Sequence, residues 1–254
     1  MAWNPGTYNQ FKSERFAPFY DLLALITIKP NLEVIDLGCG TGELTRKLAD
    51  ALPESRVLGI DSSQEMLNDS KPFENAQVSF ACKTIEEQVG LDKKWDLVFS
   101  NAAIQWVNNH EELLPKIIST VKPEGQLVIQ LPAQHHNISN RILNDLASEE
   151  PFKTPLEGWK RDSPVLEIDR YAQLLFGHGS KSMMVFEKIY PMVLKDADAL
   201  FTWVSGTALI PYTERLEGEM RQQFIDAYKQ KLQSHFPQSP VFYPFKRIIL
   251  EAKF

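Results

Sequence analysis

Apolar positions along this chain alternate between a helical and a strand-like period. From 10 to 26 (QFKSERFAPFYDLLALI), Phe11, Phe16, Phe19, Leu22, Leu23 and Ile26 recur at helical spacing and predict a helix that Pro18 can interrupt. Lys29-Pro30-Asn31 reads as a turn. In EVIDLGCGTG (33–42), Val34, Ile35 and Leu37 suit a buried strand, and Gly38, Gly40 and Gly42 suit a sharp turn. ELTRKLADAL (43–52) returns to the helical period and ends near Pro53. RVLGID (56–61) is then a strand ending in an acid, with Ser62 or Ser63 capping a short helix through Met66 and Leu67. QVSFAC (77–82) and WDLVFSN (95–101) are further strands. HEELLPKIISTV is a helix, and PEGQLVIQLP (123–132) a turn followed by a fifth strand.

Strands and helices alternating over this length predict a parallel sheet with helices on both faces and right-handed crossovers. The remainder is different. Residues 139–150 and 169–177 read as helices, KSMMVFEKIYPMVL (181–194) as a strand, ADALFTWVSGTAL and LEGEMRQQFIDAYKQKLQSHF as helices, and FYPFKRIILEAKF as a closing strand. Two late strands joined by helices predict an antiparallel hairpin at the sheet edge, with the intervening helices as a cap. The expectation is one α/β domain over 1–254. Its core is about 31–132 plus strands about 181–194 and 242–254, and its helical cap comes from about 1–30 and 195–238.

Composition narrows the function classes. The chain has 254 residues, 43% of them hydrophobic, which excludes a disordered or low-complexity protein. With 27 basic against 33 acidic residues it carries a formal charge of −6, which argues against gripping nucleic acid by charge. Cys39 and Cys82 are too few for a disulfide framework or a Cys-rich metal site, and fit a reduced cytoplasmic setting. The opening MAWNPGTYNQFKSERF lacks the apolar run of a signal peptide, and no stretch is apolar enough to span a membrane. The expected partner is a small molecule, with the chain a monomer or weak homodimer.

The chemistry concentrates at the first turn. In doubly wound sheets ligands bind beyond the carboxyl ends of the strands, where strand order reverses. Gly38-Cys39-Gly40-Thr41-Gly42 falls at such an end. Glycines permit positive φ and close approach, and the following helix start can direct N–H groups at an anion. Asp61, at the end of the second strand, can accept hydrogen bonds from a ribose diol. Together these imply an adenosyl cofactor. The G-x-G-x-G spacing, with Asp36 two residues before the first glycine, suits S-adenosylmethionine better than NAD, because it fits a methionine carboxylate rather than a pyrophosphate.

VIDLGCGTG, GIDSS and WDLVFSNAAIQWV together resemble the class I S-adenosylmethionine-dependent methyltransferases, whose fold is a Rossmann-like, seven-stranded, mostly parallel sheet. The outer motifs W-N-P-x-x-Y, Q-W-V, W-V-x-G-T-x-L-x-P-Y (203–212) and Y-P-F-x-R resemble those of the trans-aconitate 2-methyltransferases, so the likeness spans nearly the whole chain. The resemblance implies that Asp36, Gly38, Cys39, Gly40 and Gly42 surround the methionyl part and that Asp61 holds the ribose, with Ser62, Ser63 and Met66 nearby. It places Thr84 and Ile85 at the adenine, Asn101 and Ala102 beside the sulfonium, and Gln105 and Trp106 near the transferred methyl. Where relatives tend to carry Arg before the Pro of the G-T-x-L-x-P motif, this chain has Ile210, and PAQHHNISN stands in place of a more acidic loop.

A carboxylate oxygen is already a nucleophile, so forming a methyl ester needs alignment rather than a general base. No catalytic acid or base is therefore assigned. Substrate-binding candidates are Tyr8, Arg15, Gln105, Trp106, Tyr212 and Arg247. The five histidines have no metal-ligand spacing, and no metal is expected. His135 and His136 follow the fifth strand, where one could reach a site mouth; His110 reads as an ordinary helix-start residue. The alternatives are a methyltransferase for a carrier-bound malonyl group or a small amine or hydroxyl compound, an NAD-dependent oxidoreductase, and a non-catalytic cofactor-binding protein.

Overall fold

The computed structural model describes residues 12–254, with side chains from residue 16 onward. Tyr8 lies outside the described residues, as does the side chain of Arg15. The helices are α1 (Lys12–Leu25), α2 (Glu43–Asp50), α3 (Gln64–Asn68), α4 (Ile85–Val89), α5 (His110–Ser119), α6 (Ile138–Ala147), α7 (Ile168–Gly177), α8 (Ala197–Ser205), α9 (Ile210–Thr213) and α10 (Gly218–His235). The strands are β1 (Glu33–Leu37), β2 (Arg56–Asp61), β3 (Val78–Cys82), β4 (Trp95–Asn101), β5 (Val121–Pro132), β6 (Ser182–Leu194) and β7 (Val241–Lys253).

Among the described residues these strands form one seven-stranded sheet in the order β3-β2-β1-β4-β5-β7-β6. β1, β2, β3, β4 and β5 pair in parallel, and β7 runs antiparallel to β5 from Gln126↔Lys253 to Pro132↔Arg247. Strand order reverses between β1 and β4, so a switch point falls at their carboxyl ends. The class I methyltransferase fold expected from the motifs is the fold observed.

Two local readings change. α1 runs unbroken through Pro18. Loss of one N–H from the ladder is outweighed by the apolar face beyond it, where Phe19 and Leu22 are fully buried and Ile26 nearly so. β5 starts at Val121, taking in the Pro-Glu-Gly that read as a turn. The register against β4 jumps from Trp95↔Val121 to Leu97↔Gln126, and Glu124 is left-handed at φ 62°, so these turn residues form a bulge inside the strand.

The described chain divides into two compact units. A sheet unit comprises Ala17–Pro132, Pro164–Lys188 and Arg247–Phe254. A helical unit contains Ala133–Ser163 and Ile189–Lys246. Each has its own apolar core. In the sheet unit, Phe19, Leu22, Leu48, Leu52, Phe99 and Ile249 pack together. In the helical unit, Leu143, Leu146, Leu200, Tyr212, Phe224 and Tyr228 do so. No helix among the described residues is long and apolar enough to cross a membrane.

Candidate active site

At the switch point of the sheet unit, the glycine turn is held almost entirely by its own neighbours. The amides of Gly38 and Cys39 both donate to the Ile60 carbonyl, at 2.9 and 2.8 Å, and that of Gly42 donates to Cys39 O at 3.1 Å. The Gly40 amide donates to Asp61 Oδ2 at 2.9 Å. Four of the five turn amides are therefore engaged within the protein, and the turn is not the cluster of open N–H groups that would cradle a pyrophosphate.

All three glycines sit at positive φ, but for different reasons. A Cβ on Gly38 (φ 82°) would stand 2.1 Å from Ala103 Cβ, and one on Gly42 (φ 80°) 2.5 Å from Phe80 Cζ. Packing alone demands glycine at both positions. At Gly40 (φ 57°) the nearest atom to such a Cβ would be Met66 Cε at 3.6 Å, so space remains over this residue. Gly59 in β2 is another packing glycine, since a Cβ there would meet Phe80 at 2.7 Å. An isolated glycine inside a strand pattern is the signal that marks it.

Asp61 accepts from Gly40 N on one oxygen and from Ser63 N on the other, both at 2.9 Å. A carboxylate has about four lone-pair sites, so acceptor capacity for two hydroxyls remains. Ser63 rather than Ser62 caps α3, its Oγ accepting from Met66 N at 3.2 Å. Next along the strand ends, Thr84 caps α4 in a reciprocal capping box with Glu87, and Ile85 is buried. Asp36 lies beneath the turn, 3% exposed, and accepts from Thr45 Oγ1 at 2.6 Å. Burial raises its pKa to about 7, with a further push from Asp61 that the Thr45 hydroxyl opposes. Burial, then Asp36 and Asp61, push the Cys39 thiol well above its ordinary range, so it is a packing residue and no nucleophile.

A polar chain runs under the end of β4. Arg247 donates to Gln130 Oε1 at 2.6 Å, and Gln130 Nε2 donates to Asn101 Oδ1 at 2.7 Å. Arg247 is buried, at 8% exposure, and serves as the root of this chain. Ala102, left-handed at φ 56°, receives Gln105 Nε2 on its carbonyl at 2.7 Å. Gln105 Oε1 is a buried acceptor with no hydrogen-bond partner among the described residues. An acceptor of that kind, the acceptor capacity left on Asp61 and the space above Gly40 fit a ligand carrying a ribose and a cationic amino-acid end. Trp106 is 54% exposed.

His110 does more than start a helix. Its Nε2 faces the Ile104 carbonyl at 2.9 Å, an acceptor only, so that nitrogen carries the hydrogen. Nδ1 then accepts the Tyr171 hydroxyl at 2.5 Å, and the Tyr171 oxygen accepts from Leu166 N at 3.1 Å. His110 thus anchors the turn Ile104–Trp106, which carries Gln105. The sequence gives no local signal for a pair 61 residues apart; a polar Gln130 inside the apolar run LVIQLP is a signal that was there to find.

Tyr212 belongs to the helical unit. It is buried, stacks on Phe224 at 5.4 Å and donates to Asn144 Oδ1 at 2.5 Å. Burial pushes its pKa up to about 12, which the Arg161 amide and charge oppose, so it is a neutral hydroxyl. His135 lies in the turn Gln134–His136 and lines a cavity there with Tyr212, Arg141 and Arg161. Among the described residues no three His, Cys, Asp or Glu side chains gather to hold a metal.

This turn, its paired acid and this strand order define an S-adenosylmethionine-dependent methyltransferase of class I. A methyltransferase-domain family model matches residues 28–170, so the chain belongs to that family. The trans-aconitate 2-methyltransferase of Deinococcus radiodurans is 43% identical over 99% of this chain and 98% of its own length. The trans-aconitate 2-methyltransferase of Variovorax paradoxus is 32% identical over 93% of this chain and 91% of its own. Among solved structures, the magnesium protoporphyrin IX methyltransferase of Synechocystis with bound SAH superposes at a TM-score of 0.58 with 14% identity, covering 97% of this chain and 86% of that one.

Two predictions follow from these contacts. Gly38→Ala should destabilise the protein by roughly 2–4 kcal/mol, through left-handed strain and overpacking, and Gly40→Ala by only about 1 kcal/mol. Urea unfolding checks this, and equal losses would contradict the packing assignment. Burial lowers the His110 pKa from its ordinary 6.5, so the unfolded chain takes the proton first as pH falls. The stability due to neutral His110 is complete above 6.5 and is lost as pH drops through the lower folded value. The urea midpoint of the wild type should therefore fall towards that of His110→Phe as pH drops below 6.5. A gap that stays constant with pH would contradict it.

Proposed function

We propose that the methyl acceptor is a carboxylate of a small carboxylic acid, such as the trans-aconitate of the relatives' names, and that the product is its methyl ester. The observation that carries the donor half of this reading is the closed glycine turn. Its amides are engaged internally, while the Asp61 carboxylate that braces it keeps acceptor capacity. The acceptor half rests on the full-length likeness to relatives so named.

In this reading Asp61 holds the two ribose hydroxyls. Ser62, Ser63, Met66, Thr84 and Ile85 border the adenine. Asp36, Gly38, Cys39, Gly40 and Gly42 form the floor under the methionyl part. Asn101, Ala102 and Gln105 line the reacting end, where Gln105 Oε1 is the acceptor for a cationic group. Trp106 stands at the margin, and Tyr8 and Arg15 remain candidates for holding the acid.

When bound, S-adenosylmethionine supplies the methyl group and a neutral thioether leaving group. The chain's own work is alignment and exclusion of water. The Arg247–Gln130–Asn101 chain and the His110–Ile104 anchor fix the loop after β4. Asp36 lies beneath a cationic ligand, where an ionised carboxylate is favoured. No residue need remove a proton, because the acceptor oxygen is already an anion. Free thiols at Cys39 and Cys82 fit a cytoplasmic setting.

Incubation with the donor and a panel of di- and tricarboxylic acids, read by mass spectrometry, should give acid monomethyl esters. Methylation of amines or hydroxyl compounds with no ester from any acid would overturn the reading. Asp61→Ala should weaken S-adenosylmethionine binding by roughly 2–4 kcal/mol, the range for removing a charged hydrogen-bond partner. Unchanged affinity by calorimetry would remove Asp61 from the ribose role.

A further inference from the structure

Three polar side chains share one face of the sheet unit where three strands lie side by side. Asn101 in β4 is paired directly with Gln130 in β5. Gln130 stands opposite Ile249 in β7, and Arg247, two residues before Ile249, falls on the same face. This is the ligand end of the sheet. Ser100, the residue before Asn101, donates its hydroxyl to the Leu37 carbonyl at 2.8 Å. Ala103, two residues beyond Asn101, is the residue that Gly38 packs against. Asn101 is thus tied beside the glycine turn from both sides.

The hydrogen bonds among the three run in one direction only. A guanidinium has donors and no acceptor, so Arg247 has to meet the oxygen of the Gln130 amide, as it does at 2.6 Å. The Gln130 nitrogen then faces Asn101 and donates to its Oδ1 at 2.7 Å. Gln130 is fully buried, so turning its amide over would set donor against donor at Arg247 with no solvent to relieve it. Asn101 is half-buried, and the end of its amide not committed to Gln130 is Nδ2, a donor. Because the chain starts at a cation, each bond polarises the next and strengthens that donor. Gln105 shows the opposite arrangement. Its Nε2 is engaged by the Ala102 carbonyl, so its oxygen is the end that remains. One amide at the end of β4 is therefore fixed as a donor, and one in the turn that follows as an acceptor. A cationic sulfonium gains nothing from an N–H donor, so the partner of Asn101 Nδ2 is the methyl acceptor.

We propose that Asn101 Nδ2 donates to the carboxylate that receives the methyl group, and that Gln130 and Arg247 are positioning residues that fix its polarity. This role rests on the carboxylic-acid reading of the acceptor and names the residue that selects for it. A carboxylate has about four lone-pair sites. One takes this hydrogen bond while another forms the bond to the methyl carbon, whose bond to sulfur breaks with its electron pair left on the sulfur. The acid loses its charge as the ester forms and the hydrogen bond weakens, so the contact acts on KM rather than on kcat. A protonated amine has only donors to offer and is turned away by the same geometry.

Gln130→Glu tests the polarity with little change of shape. Both oxygens of the new carboxylate accept, one from Arg247 and one from Asn101, so the Asn101 amide turns over and meets the acid with its oxygen. Gln130→Met removes the chain without reversing it, and Asn101→Ala removes the donor itself. Steady-state methylation of trans-aconitate is measured for each, with calorimetric binding of tricarballylate to the protein loaded with S-adenosylhomocysteine. KM for the acid should rise by about tenfold or more in Asn101→Ala and Gln130→Glu, the size of a lost hydrogen bond to a charged group, without a fall in kcat. Gln130→Met should lose less than Gln130→Glu. A merely structural role reverses that order, because a carboxylate keeps both hydrogen bonds and the shape. Ester formation by the wild type with KM unchanged in Asn101→Ala, or with Gln130→Met the worse of the two Gln130 variants, overturns the role of Asn101 and leaves the acceptor reading standing. If Gln130→Glu does not fold, KM in Asn101→Ala decides alone. If the wild type esterifies no acid, the acceptor reading fails and calorimetry decides. Tricarballylate binding weakened by Asn101→Ala and more so by Gln130→Glu then keeps Asn101 as a carboxylate donor, and absent or unaltered binding overturns it.

Discussion

One carboxylate closes the centre of this molecule. Asp61 ends β2 and takes the Gly40 amide on one oxygen and the Ser63 amide on the other. The first contact locks the turn after β1, and the second locks the start of α3. Without it the left-handed glycine turn would have an unsatisfied amide and no brace from the neighbouring strand. The same carboxylate keeps acceptor capacity beyond these two contacts. In the proposed reading, structural support and ribose recognition are two uses of one side chain. The Ile60 carbonyl just before it completes the arrangement by receiving both Gly38 and Cys39.

The loop after β4 has a comparable support, built at longer range. Arg247 from β7 reaches Gln130 in β5, and Gln130 sets the Asn101 amide at the end of β4. His110 anchors the following turn from the other direction through Ile104 O. Buried hydrogen bonds of this kind hold a loop in one conformation. In the proposed ester formation no residue need remove a proton, so that order, through alignment, is the chain's main contribution to rate.

Much of this was legible in the chain. β1, the glycine turn and α2 follow one another within twenty residues, and local period with glycine placement predicts such a unit directly. Asp61 was legible because a strand's last residue lies at the ligand end of a parallel sheet. The direction of the Gly38, Cys39 and Gly40 amides was not, because their acceptors come from β2. Nor was the continuity of α1 through Pro18, which depends on the burial of Phe19 and Leu22. Arg161 lies in an irregular segment with no period to read, and only the fold brings it to Arg141 and Tyr212. Arg247 was legible as a candidate residue, but its burial against Gln130 was not.

The central claim is that Asp61 braces the turn and binds the nucleoside at the same time. A crystal structure with S-adenosylhomocysteine tests it most directly. The account predicts both ribose hydroxyls within hydrogen-bond distance of Asp61 while the Gly40 and Ser63 amides remain on the same carboxylate. A ribose held elsewhere, or a carboxylate that releases Gly40 to receive it, would contradict the account.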